Sequence, residues 1–342
     1  MRVLLTGGAG FIGSALVREL LAQGDRVHVL DKLTYAGVMA SLTPLMDHPS
    51  FSFVQADIVD ADAVRAAFDN FQPQAVAHLA AETHVDRSIT GPAEFIRTNV
   101  MGTQVMLDAA LAHHRGLDPA GQAVFRFLHI STDEVFGALG PDGVFDETSP
   151  YDPRSPYAAS KAASDHLVRA WANTYGLPTV ISNCSNNYGP RQFPEKLIPR
   201  LILNALHDRP LPIYGDGSNV RDWLHVEDHA RALALMLVKA RPGTTYCVGG
   251  GTEMSNLDLA RLLCAHLDDL APRDDGQPHA ARIQMVEDRP GHDWRYAVSA
   301  ARIEADLGWR PRVDFGQGLR QTVEWYLANP DWWQPLRARK GA

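Results

Sequence analysis

Cysteine is scarce in this chain. The three present among 342 residues, Cys184, Cys247 and Cys264, form no C-x-x-C pair, and no histidine cluster stands at ligand spacing. That usage excludes a disulfide scaffold, predicts no bound metal, and fits buried free thiols in a reducing compartment. A basic surplus is also missing. With 32 Lys and Arg against 40 Asp and Glu, the formal charge is −8, so nothing is left over to neutralise nucleic-acid phosphates. No 18 apolar residues run together. The first residues enter a strand pattern, Arg2-Val3-Leu4-Leu5-Thr6, with no basic leader and cleavage site before it. The expectation is a soluble, cytoplasmic protein with no nucleic-acid or membrane partner. Repeats and low-complexity tracts are absent too.

What the chain does have is hydrophobic residues at 45%, enough for a full core at this length. Apolar runs at 2–6, 26–31, 51–56, 75–80, 125–131 and 179–183 alternate with helical spacing at 11–23, 60–71, 92–113 and 155–175. Pro92 and Glu94 suit the first turn of the third of these helices. The alternation predicts βαβ units, hence a doubly wound parallel sheet of Rossmann type. Beyond about residue 184, Pro and Gly become frequent and the periodicity weakens. Helical stretches near 227–240 and 256–269, a strand at 244–249 and an exposed loop at 271–282 follow. The reading is a dinucleotide-binding domain over 1–184 with chain returns from the second half, and a smaller substrate lobe mainly over 185–342.

Gly7-Gly8-Ala9-Gly10-Phe11-Ile12-Gly13 follows the first strand and opens the first helix. Glycines at that spacing let the chain turn tightly and let a pyrophosphate reach the helix N-terminus, where free N–H groups and the dipole favour anions. A plain tight turn would need glycines as well; the strand-turn-helix context and Asp31 favour the cofactor loop. Asp31 ends the second strand, where a carboxylate accepts from ribose hydroxyls and repels a 2′-phosphate. That selects NAD over NADP, with Lys32 as the one opposing charge. Asp57 ends the third strand, within reach of an adenine amino group, and Leu79-Ala80-Ala81 offers small residues for close backbone approach.

Tyr157 and Lys161 lie one helical turn apart on one face. A nearby ammonium lowers a phenol's pKa, which would make Tyr157 a base for an alcohol proton. Taken alone, the pair is common on surface helices. Thr132, at the end of a central strand, could bond the same alcohol. Asp133 and Glu134 follow it directly, at the sheet edge where ligands of open α/β sheets sit. An alcohol oxidation needs one proton acceptor. Two further acid/base groups beside it point to a second reaction, such as loss of water.

These motifs, together with Ala80-Ala81-Glu82-Thr83-His84-Val85-Asp86-Arg87-Ser88, Ser185-Asn186-Asn187-Tyr188-Gly189-Pro190, Pro194-Glu195-Lys196-Leu197-Ile198-Pro199, Tyr214-Gly215-Asp216-Gly217, Arg221-Asp222-Trp223 and Arg289-Pro290-Gly291-His292-Asp293, run nearly end to end. The chain resembles the extended short-chain dehydrogenase/reductases, and among them the dTDP-glucose 4,6-dehydratases. The resemblance implies an NAD-dependent hydro-lyase. Tyr157 takes the C4 hydroxyl proton as C4 is oxidised, Glu134 removes the C5 hydrogen, and a protonated Asp133 gives its proton to the departing C6 hydroxyl. It further implies cofactor contacts from Gly7, Gly10, Phe11, Ile12, Gly13, Asp31, Lys32, Thr34, Asp57, Ile58, Leu79, Ala81, Asn99, Tyr157, Lys161 and Asn187. Sugar-nucleotide contacts are implied for Thr83, Thr132, Asn186, Lys196, Leu197, Pro212, Tyr214, Arg221, Asn256, Arg289 and His292, with Lys196, Arg221 and Arg289 offering cations to the two phosphates. Helices 92–113 and 155–175 are the implied faces of a homodimer. Thr83 replaces a more usual Ser, and Arg191 stands where Tyr is expected, so no contact is assigned to it. Trp325, Trp332 and Trp333 read as packing or surface residues.

Two rivals share the fold. A UDP-sugar 4-epimerase is disfavoured by the Asp133-Glu134 pair, which such enzymes lack. A non-catalytic NAD-binding regulator is disfavoured because Tyr157 and Lys161 are both present.

Overall fold

The computed structural model describes residues 1–288 and 291–337. The chain runs β1 (Arg2–Thr6), α1 (Phe11–Ala22), β2 (Arg26–Asp31), β3 (Phe51–Gln55), α2 (Ala61–Phe71), β4 (Ala75–His78), α3 (Val85–Thr90) and α4 (Pro92–Phe95). It continues through α5 (Thr103–Gly116), α6 (Pro119–Val124), β5 (Arg126–Thr132), α7 (Pro156–Tyr175), β6 (Thr179–Cys184), β7 (Asn186–Tyr188), α8 (Leu197–Ala205), β8 (Leu211–Tyr214) and β9 (Val220–His225). It ends with α9 (Val226–Lys239), β10 (Thr244–Val248), β11 (Glu253–Ser255), α10 (Asn256–Leu270), β12 (Ile283–Val286), α11 (Ala301–Leu307), α12 (Phe315–Ala328) and α13 (Pro330–Arg337).

Seven strands form one parallel sheet in the order β10-β6-β5-β4-β1-β2-β3. The order reverses between β1 and β4, which opens a crevice at the C-terminal ends of the strands. The central strands are largely apolar because both faces are covered, whereas edge strand β3 exposes Ser52 and Gln55. Val3, Leu5, Val27, Val29 and Ile130 pack under α1 and α9, whereas Leu4, Leu30, Val76, Phe127 and Ile181 face α2, α5 and α7. All six strands expected in the first half form. β4 stops at His78 because Leu79 and Ala80 turn their N–H groups onto Thr6, the carbonyl at 3.2 Å and the hydroxyl at 3.2 Å.

The expected helix 92–113 is real but not uniform. Between α4 and α5 the residues Ile96–Gly102 form a π-helical turn. It carries Asn99 inward, where its amide brackets the backbone of Glu82 and donates to Ser160 Oγ. π-turns concentrate where a helix must aim a side chain off its regular register. Helix α7 starts on Ser155, whose hydroxyl accepts from Ala158 N at 3.0 Å, with Pro156 in its first turn, and ends at left-handed Gly176.

The second half is a lobe of two small sheets, β11-β9-β7 and β12-β8, packed with α8, α10, α12 and α13 around Leu201, Leu263, Leu319, Tyr326, Trp332 and Trp333. It does not separate cleanly from the first. β10 joins the large sheet, and α9 covers α1. Asp228 on α9 fastens the chain beyond α11: its buried carboxylate accepts from Arg312 N at 2.9 Å and Val313 N at 3.0 Å, pairs with Arg231, and its carbonyl accepts from Trp309 Nε1. Among the described residues no helix is long and apolar enough to cross a membrane, and no group of His, Cys, Asp or Glu could hold a metal ion.

Asp228→Ala strips two buried N–H groups of a charged acceptor, and such bonds are worth about 1.5–3 kcal/mol each. The expected loss is about 3 kcal/mol or more, read as a lowered urea midpoint; an unchanged midpoint would show that the C-terminal segment is held by its apolar contacts alone.

Candidate active site

The cofactor crevice begins at the glycine loop. Gly7 has φ +74°, and a Cβ there would lie 2.7 Å from Ala80 N; at Gly13 it would lie 2.1 Å from the Gly7 carbonyl oxygen. Side chains are therefore excluded at both positions. No side chain caps α1 at Gly10, which leaves its first N–H groups for an anion. Asp31 accepts from Ala9 N at 2.9 Å and from Leu33 N at 2.8 Å, so it also ties the glycine loop to the end of β2. Burial raises its pKa against those two bonds. Lys32 lies 3.3 Å from Asp57 Oδ2 and 3.2 Å from Glu94 Oε1, which spends its charge on carboxylates.

A cavity of about 320 Å³ is lined by Gly7, Gly10, Phe11, Ile12, Gly13, Asp31, Lys32, Thr34, Asp57, Ile58, Leu79, Ala81, Tyr157, Lys161 and Asn187. Every residue expected at the cofactor lines it except Asn99, which stands behind the wall and sets the Glu82 backbone instead. The glycine cradle, the uncapped helix and the strand-end carboxylate suit a dinucleotide with free ribose hydroxyls.

A second cavity of about 1190 Å³ adjoins it, lined by Thr83, Asn186, Lys196, Leu197, Pro212, Tyr214, Arg221, Asn256 and His292. Thr132 lies on the cofactor side, and Arg289 lies outside the described residues. Thr83, Glu134, Asn186 and Lys196 line both cavities, so Glu134 stands at their junction. Arg221 is buried, anchored by the carbonyls of Val220 (2.7 Å), Asp293 (2.9 Å) and Trp294 (3.2 Å), with its guanidinium 4.5 Å from the Tyr296 ring centroid. His292 packs edge-on to Tyr214 and bonds Asp288 at 2.7 Å. The side-chain oxygens Asn186 Oδ1, Asn256 Oδ1 and Asp133 Oδ2 are buried without a protein partner among the described residues, and all three residues line these cavities.

Thr132 ends β5, and its hydroxyl accepts from Glu134 N at 3.2 Å while donating to Asp133 Oδ1 at 3.2 Å. Asp133 is only 2% exposed. Burial first, then the Glu134 and Asp222 carboxylates, hold its carboxyl well above the usual range, which favours the protonated form. Tyr157 and Lys161 face the same space but not in the expected relation. Lys161 donates to the Ile130 carbonyl at 2.8 Å, and burial lowers its pKa to about 8. The Tyr157 phenol is pushed up, by burial and then by Glu134, against a hydrogen bond with Thr132. Within the protein alone, therefore, Lys161 does not make Tyr157 acidic; desolvation outweighs a cation committed to a carbonyl.

Several lining residues escaped the sequence reading. Tyr296, Arg200 and Arg209 border the larger cavity, as does Trp333, which also packs in the lobe core. They come from distant segments, and no local pattern marks them. Arg191 takes φ +69° and stacks its guanidinium 5.3 Å from the Trp325 ring centroid.

Gly13→Ala should expel the cofactor, since the new methyl meets backbone rather than a movable side chain. The expected result is folded protein whose denatured supernatant contains less than a tenth of the wild-type nucleotide. Full occupancy would remove the glycine loop from the binding site.

Comparison with known proteins agrees with this geometry. The family model of GDP-mannose 4,6 dehydratase matches residues 4–322. The chain is 57% identical over 337 residues to a probable dTDP-glucose 4,6-dehydratase of Sinorhizobium fredii, covering 98% of this chain and 96% of that protein. It is 55% identical to the dTDP-glucose 4,6-dehydratase of Neisseria meningitidis serogroup B, over 97% of this chain and 95% of that one. The crystal structure of DesIV, a dTDP-glucose 4,6-dehydratase of Streptomyces venezuelae with NAD and TYD bound, superposes with a TM-score of 0.89 at 47% identity, over 98% of this chain and 100% of that one. A UDP-glucose 4-epimerase of Thermus thermophilus in complex with NAD shares the fold at 33% identity and a TM-score of 0.83, over 96% of this chain and 99% of that one. The chain belongs to the dTDP-glucose 4,6-dehydratases of the GDP-mannose 4,6 dehydratase family.

Proposed function

We propose that this protein is an NAD-dependent dTDP-glucose 4,6-dehydratase whose elimination is carried out by Asp133 and Glu134. The observation that carries the reading is the inequality of these two neighbours. Asp133 is buried, with its carboxyl pushed up by that burial, while Glu134 stands where the cofactor and substrate cavities meet. Bound NAD supplies a hydride acceptor that becomes a donor later in the same cycle.

The chain's own groups then act in sequence. Lys196 and Arg221 hold the diphosphate, Tyr214 flanks the base, and the hexose ring reaches Glu134. Tyr157, bonded to Thr132, takes the C4 hydroxyl proton as C4 is oxidised. The 4-ketone acidifies the C5 hydrogen, and Glu134 removes it as a proton. Asp133 gives its proton to the C6 oxygen, which leaves as water. Glu134 returns a proton to C5 as C6 is reduced, and the product is the 4-keto-6-deoxy sugar nucleotide. The acid and base act on adjacent carbons because they are adjacent in the chain, on one short turn beginning at Asp133. Discrimination of dTDP from UDP rests on one thymine methyl, worth about 1–3 kcal/mol in an apolar pocket.

Glu134→Gln keeps the shape but not the base. In D₂O the wild type should place deuterium at C5, whereas the variant should lose dehydration by a factor of about 10²–10⁴ while still oxidising C4, read as reduced-nicotinamide absorbance on mixing with dTDP-glucose. A wild-type product that is C4-inverted and keeps its C6 hydroxyl would replace the dehydratase with an epimerase.

The protein pairs through the helical faces around 92–113 and 155–175. Ile96 and Met101 are 47% and 56% exposed there, beside α7. Large apolar side chains so placed favour burial in an obligate interface. Met101→Glu should turn the dimer into a monomer in sedimentation; a wild-type monomer would end this assignment.

A further inference from the structure

A fully buried carboxylate in this core is one that none of the chemistry above uses. Asp165 lies on α7 one turn beyond Lys161 and two beyond Tyr157, and it is fully buried. Its Oδ2 accepts from Tyr151 OH at 2.8 Å, Ser131 Oγ at 2.9 Å and Asn183 Nδ2 at 3.2 Å, while Oδ1 stands 3.2 Å from His129 Nε2. His129 and Ser131 belong to β5, Asn183 to β6, and Tyr151 to the segment leading into α7. One carboxylate thus joins two strands, a loop and the catalytic helix.

The joint is next to the reacting groups. Ser131 directly precedes Thr132, and Asn183 Nδ2 also donates to the Thr132 carbonyl at 3.1 Å. Ile130, between His129 and Ser131, gives its carbonyl to Lys161. Three consecutive residues of β5 are therefore tied to α7, and the next three are Thr132, Asp133 and Glu134. We propose that Asp165 is a positioning residue for the dehydratase reaction: it sets the strand end bearing Thr132, Asp133 and Glu134 against the helix bearing Tyr157 and Lys161.

The charge state suits the role. Burial alone would raise the Asp165 pKa, but the His129 hydrogen bond, the Lys161 charge and the Tyr151 hydrogen bond bring it below its ordinary value. His129 is held near 4 by burial and by Lys161, so the ring is neutral. An ionised carboxylate can accept all four contacts at once; an amide can accept on one side only and must present a donor on the other. A plain core contact would tolerate the swap at some cost in stability. A joint between acid/base groups would not, because misplacement by an ångström can cost about 10² in rate.

The test uses Asp165→Asn and Tyr151→Phe. The second deletes one donor from the carboxylate, and Tyr151 lines neither the cofactor nor the substrate cavity. Both are assayed with dTDP-glucose, with kcat expressed per bound nucleotide and the thermal midpoint measured alongside. The expected result is a kcat lower by about 10–10² in Asp165→Asn and about 3–10 in Tyr151→Phe, with KM changed less than about threefold. Wild-type kcat per bound nucleotide in both, or losses confined to KM or the midpoint, would overturn the proposal. If Asp165→Asn does not fold, Tyr151→Phe decides alone: an unchanged kcat overturns the role and a lowered one supports it. The inference rests on the proposed reaction, and the two fail differently. A wild type that forms no 4-keto-6-deoxy product ends the reaction reading; a wild type that turns over beside unaffected variants ends only the role of Asp165.

Discussion

Two carboxyls joined by one peptide bond at the end of a buried strand cannot both be ionised without a large desolvation and repulsion penalty. In this protein the conflict is resolved by depth. Asp133 is the more enclosed, its carboxyl pushed up as it borders the cofactor cavity, while Glu134, one residue on, reaches both cavities. Thr132 makes the division stable, since its single hydroxyl serves the Glu134 N–H and the Asp133 carboxyl together. Elimination across two adjacent carbons needs an acid and a base a bond length apart in their targets. A short turn with consecutive acidic residues supplies that spacing with no further machinery. The parallel sheet, the glycine loop and the lobe bring a cofactor and a hexose to this turn.

The same low polarity that pushes up the Asp133 carboxyl acts on its neighbours, with the sign set by their charge type. It lifts the Tyr157 phenol and lowers Lys161 to about 8, which favours the neutral phenol but leaves Lys161 largely a cation at neutral pH. The protein thus holds its base in the inactive protonation state by itself. Positive charge brought in by a bound ligand would act against that shift. Lys161 serves here chiefly as a bond to Ile130, part of the same lattice that Asp165 organises.

The large sheet was legible because strands covered on both faces must be apolar throughout, and such runs stand out between helical periods. The lobe was not. β7 and β11 are three residues each, rich in polar side chains, and paired to β9 far along the chain. Pro199 obscured α8, although a proline in the first turn costs a helix nothing. At the site, residues carried by contiguous motifs could be named; Tyr296 and Trp333, delivered by separate segments, could not. The spacing of Tyr157 and Lys161 gave a shared face but not which acceptor the ammonium would choose. Asn99 was named for the cofactor, and its place behind the wall follows from a π-turn that no side-chain pattern announces.

Cofactor choice follows from charge around the adenosine end rather than from any one contact. Asp31 already accepts two backbone N–H groups, so part of its bonding capacity is spent on the loop. Lys32, which borders Asp31 and could have welcomed a 2′-phosphate, is held between Asp57 and Glu94. Asp31, Asp57 and Glu82 all line the cavity. A dianionic phosphate entering there would meet carboxylates beside a Lys32 already engaged by Asp57 and Glu94, where screening by water is weak. NAD escapes that penalty because its ribose presents hydroxyl donors instead. Selectivity of this kind works by exclusion, and it leaves the ribose contacts free to be modest.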